Sequence, residues 1–170
     1  SQLGRIFQMT TSMRWFANQW QTQEVDETVV NRVLAAKNVL DIGCGHNPYK
    51  KFATGKFTGI DVYIDTADEH MDFLNFRTQE KYDLIIAYGV FHFHSLDLID
   101  IQIKKTMKLL TPDGVLCMKV NPNCPNFDGS VLPWYNKWTK SLAHHYGEVY
   151  NKKVTNMRES TRGRFKWEYE

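Results

Sequence analysis

The stretch Asn38-Val39-Leu40-Asp41-Ile42-Gly43-Cys44-Gly45-His46-Asn47-Pro48 decides how the rest of the chain is interpreted. Its first half is apolar, as in a short buried strand, and Asp41 places an acid at the strand's end. The two glycines that follow let the backbone come close to a ligand, because no Cβ stands in the way. A second predicted strand, at residues 57–62, also carries an acid near its end, Asp61. The pair of strands and the glycine turn predict a site for a nucleotide-like cofactor.

The composition is that of one globular domain. The chain has 170 residues, enough to bury a core, and no apolar run approaches the ~20 residues needed to cross a bilayer. No signal-peptide pattern is seen, so we expect a cytoplasmic protein without membrane contact, and Met9 is a candidate for the natural initiator. The three cysteines lack C-x-x-C spacing, so neither a zinc site nor a disulfide framework is predicted.

The charge is unevenly distributed. Residues 61–100 hold nine acids and two bases, a net charge of −7, whereas residues 134–170 hold eight bases and four acids, a net charge of +4. A basic segment with interleaved aromatics is compatible with an anionic partner such as RNA. It is equally typical of a solvated surface or a sheet edge.

The remaining pattern alternates strands with helices, which predicts an α/β fold with an open, mostly parallel sheet. The expected helices cover residues 24–36, 95–110 and 133–146. The expected later strands cover residues 71–73, 82–87 and 114–120, with a turn at 111–114 and a terminal hairpin within 148–170.

No linker or internal repeat divides the chain, so residues 1–170 are expected to form a single domain. Residues 24–120 would form the cofactor-binding core. Residues 121–170 would supply a substrate-side loop, a helix and the hairpin. Residues 1–23 carry spaced aromatics and would form an N-terminal flap over the binding site or a lid over the core.

The glycine turn also indicates which cofactor is bound. A dinucleotide site calls for G-x-G-x-x-G, which sets a pyrophosphate on a helix N-terminus, but Tyr49 or Lys50 stands where the third glycine is needed. Asp41 is also a poor neighbour for a pyrophosphate, and suits a cationic group such as the amine of a methionine moiety. Both features favour S-adenosylmethionine.

Five motifs in order resemble those of class I S-adenosylmethionine-dependent methyltransferases. The resemblance covers roughly residues 25–120. It implies a single-domain, doubly wound, mostly parallel seven-stranded sheet with an antiparallel last strand and helices on both faces. The motifs are Val39-Leu40-Asp41-Ile42-Gly43-Cys44-Gly45, residues 57–61, Met71-Asp72-Phe73, residues 82–92 and residues 110–116.

The resemblance also implies the cofactor contacts. The backbone of Gly43, Cys44 and Gly45 would pack against S-adenosylmethionine, with Asp41 near its amine. Asp61 would hold the ribose hydroxyls. The remaining implied contacts are Val62 beside the adenine, Asp72 at the adenine amino group, Phe73 along the ring, and Tyr88 and Gly89 along the methionine arm.

The methyl acceptor is left open by the sequence. His92, just after the fourth strand, is the candidate general base, because histidine takes a proton near neutral pH; an ordinary loop or capping role is the alternative for it and for His94. A small-molecule acceptor is favoured over RNA. No metal is predicted, the product would be S-adenosylhomocysteine, and the oligomeric state is not indicated.

Three alternatives remain. A ribose 2′-O-methyltransferase uses a Lys-Asp-Lys-Glu set, of which Lys119 and Glu168 resemble two members, but the acid of the fourth strand is missing. The second is a binding module that keeps S-adenosylmethionine without transferring its methyl group. The third is another reaction on the same scaffold, such as aminopropyl transfer.

Overall fold

Six strands and three helices make up the part of the chain that the computed structural model describes, residues 25–91, 95–120, 138–159 and 164–170. The helices are α1 (Glu27–Ala35), α2 (Leu96–Leu109) and α3 (Lys140–Val149). The strands are β1 (Asn38–Ile42), β2 (Lys56–Ile60), β3 (Tyr82–Tyr88), β4 (Leu110–Val120), β5 (Val154–Glu159) and β6 (Phe165–Tyr169).

The strands form one sheet in the order β2-β1-β3-β4-β6-β5. The first four are parallel, β6 runs antiparallel to β4, and β5 and β6 form the predicted antiparallel pair. From β1 the chain goes to β2 on one side and then returns to β3 on the other side. Ligands of open α/β sheets bind beyond the carboxyl ends of strands at such a reversal. The expected mixed sheet with an antiparallel last strand is therefore confirmed.

Apolar side chains cover both faces of the sheet, since successive strand residues point to opposite sides. On one face Leu84 and Ile86 of β3 pack with Val29 and Val33 of α1. On the other face residues of α2 and α3 pack against the sheet in a larger cluster. The described helices thus lie on both faces, as predicted. The described residues do not confirm the seven-strand count or the doubly wound layout.

The helix starts follow from side-chain caps. The Asp26 carboxylate accepts a hydrogen bond from the backbone N–H of Thr28 (2.9 Å) at the start of α1, and Ser95 accepts one from Leu98 (3.4 Å) at the start of α2. Each cap satisfies a backbone donor that has no partner within the helix. α1 is shorter than the predicted 24–36 because Asp26 is its cap and lies outside it.

The predicted third strand at Met71-Asp72-Phe73 is wrong. The chain forms a 3-10 turn at Phe73–Asn75, in which the Asp72 carboxylate accepts from the N–H of Leu74 (3.3 Å). This local hydrogen bond competes with strand pairing. Only one isolated bridge, between Ile60 and Glu69, continues the sheet in this part of the described chain.

Residues 111–114 belong to a strand and do not form the predicted separate turn, because β4 already begins at Leu110. Tyr82 pairs with Leu110 and Leu84 with Val115, so β4 has extra residues between two pairs that are close together on β3. The turn residues are therefore accommodated as an irregularity within the strand. The predicted strand at 114–120 is confirmed.

Several predicted features lie outside the described residues. These are the N-terminal segment 1–23, the first part of the helix at 133–146, and residues 160–163 within the predicted terminal hairpin. The described part of that helix is α3, which begins after Thr139 and ends later than predicted. None of the helices in the described ranges is long and apolar enough to cross a membrane.

Replacing Trp167 tests whether β6 anchors the sheet. Its side chain is fully buried and its ring contacts those of Trp138 (5.3 Å) and Tyr169 (5.8 Å). We expect Trp167→Ala to lower the free energy of unfolding by about 3–5 kcal/mol in urea titrations, because a large cavity remains. Val149→Ala, at a 56% exposed position, should change it by less than about 0.5 kcal/mol. Equal effects of the two substitutions would contradict this packing.

Candidate cofactor-binding site

The turn after β1 needs its glycines. Gly43 has a φ of 66° and Gly45 a φ of 58°, both in the left-handed region that side chains other than glycine rarely adopt. A Cβ on Gly43 would lie 2.1 Å from Cγ2 of Val90. The backbone here therefore comes close to the segment after β3 and turns sharply at the carboxyl edge of the sheet.

Asp61 joins this turn to the end of β2. Its Oδ2 accepts a hydrogen bond from the N–H of Gly45 (3.0 Å), and its Oδ1 accepts one from Tyr63 (2.8 Å). Burial raises the pKa of Asp61, while these backbone donors act in the opposite direction. Asp61 thus ties the end of β2 to the glycine turn after β1, and its carboxylate already carries structural hydrogen bonds.

Asp41 is a buried carboxyl group at the centre of the edge. It lies on β1 between Gly59 of β2 and Ile86 of β3, and only 3% of it is exposed. Burial, and then the negative charge of Asp61, raise the pKa of Asp41 well above its usual range. A cationic ligand group beside Asp41 would favour its ionised form.

A pocket opens beside this turn. It has an acidic and glycine-lined wall at the end of β1 and a basic wall at the ends of β4 and β6. Its lining residues are Asp26, Asp41, Gly43, Cys44, Pro48, Tyr49, Tyr88, Lys119 and Lys166. Four of the predicted cofactor-binding residues, Asp41, Gly43, Cys44 and Tyr88, are therefore brought together.

Asp26 forms a network across the pocket wall. Its Oδ2 accepts hydrogen bonds from Lys166 Nζ (3.0 Å), Arg158 Nη2 (3.0 Å) and the Tyr88 hydroxyl (3.1 Å). Burial would raise the pKa of Asp26, but the hydrogen bonds from Lys166 and Arg158 hold it well below its usual range. Asp26 therefore stays ionised and ties the start of α1 to the terminal hairpin.

Glu168 holds the other side of Arg158. Its fully buried carboxylate accepts from Arg158 Nη1 (2.9 Å) and from the side-chain amide of Asn156 (3.0 Å). Arg158 is thus fixed between Glu168 and Asp26, while Lys166 extends into the pocket. Buried charges arranged in this way are paired and hydrogen-bonded, as burial requires.

The end of β3 approaches the pocket through Tyr88. Gly89 has a φ of 74°, and its N–H donates to the carbonyl oxygen of Lys119 (2.9 Å). Tyr88 lines the pocket, and its hydroxyl donates to Asp26. Burial raises the pKa of Tyr88 above its ordinary value, so this phenol is a hydrogen-bond donor and not a base.

The other predicted contacts are placed differently. Phe73 is only 3% exposed and packs in the apolar cluster of α2, with its ring 6.2 Å from that of Phe91. Asp72 caps the 3-10 turn, and neither residue lines the pocket. Val62 is 42% exposed near the end of β2. The Cys44 thiol is buried, which raises its pKa.

The candidate base His92 lies outside the described residues, as does His94. Within the described ranges, no group of three or more His, Cys, Asp or Glu side chains is placed to hold a metal ion.

Sequence reasoning missed the roles of Asp26, Arg158 and Lys166. Asp26 was recognisable as an acid at a helix start, but its partners lie 132 and 140 residues away. No local pattern predicts such a pairing. The only available signal was the excess of basic residues in the C-terminal segment.

Comparison with curated proteins gives one local likeness. The chain is 44% identical over 48 residues to the alpha N-terminal protein methyltransferase 1 of Dictyostelium discoideum. These residues are 28% of this chain and 17% of that protein, so the likeness spans about a sixth of the relative. No protein-family model matches the chain.

Solved structures share the fold. The magnesium protoporphyrin IX methyltransferase of Synechocystis, solved with S-adenosylmethionine, superimposes with a TM-score of 0.69 and 15% identity over 99% of this chain and 95% of that one. The 1,6-didemethyltoxoflavin-N1-methyltransferase of Burkholderia thailandensis, solved with S-adenosylhomocysteine, superimposes with a TM-score of 0.64 and 14% identity. This match covers 84% of this chain and 76% of that one. The chain therefore has the Rossmann-like fold of class I methyltransferases, as its motifs predicted.

The pH dependence of stability tests the burial of Asp41. Because its pKa is raised in the folded state, the folded form binds more protons, so stability falls as pH rises from about 4 through the folded pKa. Asp41→Asn removes this loss. Between pH 4 and pH 8, we therefore expect the variant to become more stable relative to the wild type in urea titrations.

The matched control is Asp113→Asn, at an exposed site. Its stability should follow a pH profile parallel to that of the wild type. A parallel profile for Asp41→Asn would contradict the raised pKa of Asp41.

Proposed function

We propose that this protein transfers the methyl group of S-adenosylmethionine to a small-molecule acceptor. The observation that carries the proposal is the joining of Asp41, the Gly43–Gly45 turn and Asp61 at the reversal of the sheet. A glycine turn without a third glycine, flanked by the buried Asp41 and the half-buried Asp61, suits a nucleoside with a cationic tail and no pyrophosphate. The fold and the ligands of the similar structures support the same cofactor.

Different residues of the chain would contact different parts of the cofactor. Asp61 would accept from the ribose hydroxyls mainly through Oδ2, which accepts only from Gly45, because Oδ1 already accepts from Tyr63 and Ile64. Asp41 would face the methionine amine, while Tyr88 and Gly89 would lie along the methionine arm. Val62 is exposed and free to cover the adenine. Asp72 and Phe73 are proposed to reach the adenine only after a local rearrangement.

The chemistry is a direct displacement. A lone pair on the acceptor would form a bond to the methyl carbon while the carbon–sulfur bond breaks, and its electrons would return to sulfur to give S-adenosylhomocysteine. An acceptor that must lose a proton would pass it to a base, for which His92 remains our candidate. Orientation and the exclusion of water would supply most of the rate enhancement.

A small-molecule acceptor is supported by the acceptors named for the similar structures, a magnesium porphyrin and a toxoflavin precursor. The local relative is named as a protein methyltransferase, so a protein N-terminus is a second candidate.

The ribose 2′-O alternative is weakened by the site. Glu168 is fully buried and bonded to Arg158 and Asn156, so an acceptor hydroxyl would have to displace both. The acid that this chemistry expects at the end of the strand Tyr82–Tyr88 is missing, as the sequence already indicated. A module that binds S-adenosylmethionine without transfer remains the non-catalytic alternative.

Asp61→Asn tests the ribose assignment. The amide keeps one acceptor oxygen for the backbone but loses the charge, so we expect S-adenosylhomocysteine to bind about tenfold more weakly or worse in calorimetry. Asp65→Asn, four residues on and 97% exposed, should leave the affinity unchanged. The 2′-deoxy analogue separates contact from folding: it should lose affinity for the wild type but little more for Asp61→Asn. Equal losses with both proteins would remove the assignment.

Methyl transfer itself is tested with tritiated S-adenosylmethionine over metabolite, peptide and RNA pools. We expect label in the metabolite pool, in line with the small-molecule acceptors named for the similar structures. Label in the peptide or RNA pool alone would show that the acceptor is not a small molecule. Cofactor binding without label in any pool would favour the binding module.

A further inference from the structure

The pocket collects the proposed contacts for one end of the cofactor. Asp41, Gly43 and Tyr88, which we assign to the methionine moiety, line it, whereas Asp61 and Val62, assigned to the ribose and adenine, do not. The cavity volume is about 30 Å³, room for about two water molecules. The pocket therefore suits the amino-acid end of the cofactor, and the nucleoside would lie outside it.

Lys166 brings a cation to this pocket from a distant strand. It lies on β6, which β4 separates from β3, so the β6 and β3 backbones are roughly 10 Å apart. Its Nζ nevertheless lies 5.8 Å from the centre of the Tyr88 ring on β3, and 3.0 Å from the Asp26 Oδ2 to which the Tyr88 hydroxyl donates. The Lys166 side chain thus extends back over the sheet towards β3, and it lines the pocket.

Asp26 holds the Lys166 ammonium in position. The Oδ1 of Asp26 accepts from the N–H of Thr28 (2.9 Å), and the backbone N–H of Asp26 donates to the Tyr49 hydroxyl (2.8 Å). Only 11% of the Asp26 side chain and 20% of the Lys166 side chain are exposed. The bond to Asp26 uses one of the three donors of the ammonium. Lys166 can therefore hold a ligand oxygen while it stays bonded to Asp26, and binding orders little that is not already fixed.

The amino-acid end of S-adenosylmethionine carries an amine and a carboxylate on one carbon atom. Asp41 would face the amine, so a cationic side chain in the same pocket would match the carboxylate. Lys166 lines the pocket that Asp41 lines. A hydrogen bond from an ammonium to a carboxylate is about twice as strong as one between neutral groups.

We propose that Lys166 binds the carboxylate of the cofactor's methionine moiety, and that the site thereby selects S-adenosylmethionine over its decarboxylated form. This inference rests on the proposed function, which places the amine at Asp41. Asp26 is a positioning residue, because it acts through Lys166. Selection for the carboxylate also disfavours aminopropyl transfer, since that reaction consumes the decarboxylated cofactor.

The test compares S-adenosylhomocysteine with its decarboxylated analogue, which keeps the nucleoside and the amine. In calorimetry we expect the wild type to bind S-adenosylhomocysteine about tenfold more tightly or better, because the analogue lacks the group that Lys166 holds. Lys166→Met removes the charge, so it should bind the two ligands with nearly equal affinity, through a loss for S-adenosylhomocysteine alone. Lys166→Arg keeps a cation and should keep most of the preference. Lys56→Met, 76% exposed on the edge strand β2, is the matched control and should behave as the wild type.

Equal affinity of the wild type for the two ligands would overturn the proposal whether or not the variants fold, and would leave the cofactor site itself standing. A Lys166→Met protein that is folded by circular dichroism and keeps the full preference would overturn it as well. If neither ligand binds the wild type, the proposed function fails and this inference fails with it.

Discussion

The bond network of Asp61 is the constraint on which the site depends. Its carboxylate holds the N–H of Gly45 and the N–H of Tyr63 at once, and so fixes the turn after β1 against the turn after β2. Because parallel strands end at one edge, Asp61 lies near the left-handed turn at Gly43 and Gly45, and Asp41 and Gly43 line the pocket at that edge. Burial of Asp41, and then the negative charge of Asp61, raise the pKa of Asp41, so a cationic ligand group beside it would favour its ionised form.

Asp26 joins two parts of the fold that are far apart in the sequence. It caps α1 and, through Oδ2, holds Lys166, Arg158 and Tyr88. The start of the described chain and its terminal hairpin thereby meet on the pocket wall. The same carboxylate that stabilises the helix start also positions the basic side of the pocket. The Asp26 carboxylate therefore both caps α1 and holds the side chains of Arg158 and Lys166 at the pocket wall.

The sequence predicted most elements because their signals are local. Asp26 and Ser95 cap helices that an apolar stripe already indicates, and β3 reads as a strand buried on both faces. The error at Met71-Asp72-Phe73 arose because the Asp72 carboxylate bonds to Leu74, which no hydropathy pattern reports. The predicted contacts Asp41, Gly43 and Gly45 lie within five residues of sequence, so a local pattern can point to them, and their role in binding stays a prediction. The ion pairs of Asp26 join residues more than 130 positions apart, and only the folded chain brings them together.

Calorimetric titration of the unmodified protein with S-adenosylhomocysteine, run beside NAD as the competing dinucleotide, tests the central claim most directly. A turn shaped for a nucleoside with a cationic tail predicts a dissociation constant well below millimolar for S-adenosylhomocysteine and no saturable binding of NAD. Failure of S-adenosylhomocysteine to bind below about 1 mM, equivalent to roughly 4 kcal/mol of binding free energy, would contradict the account. Tighter binding of NAD would contradict it equally.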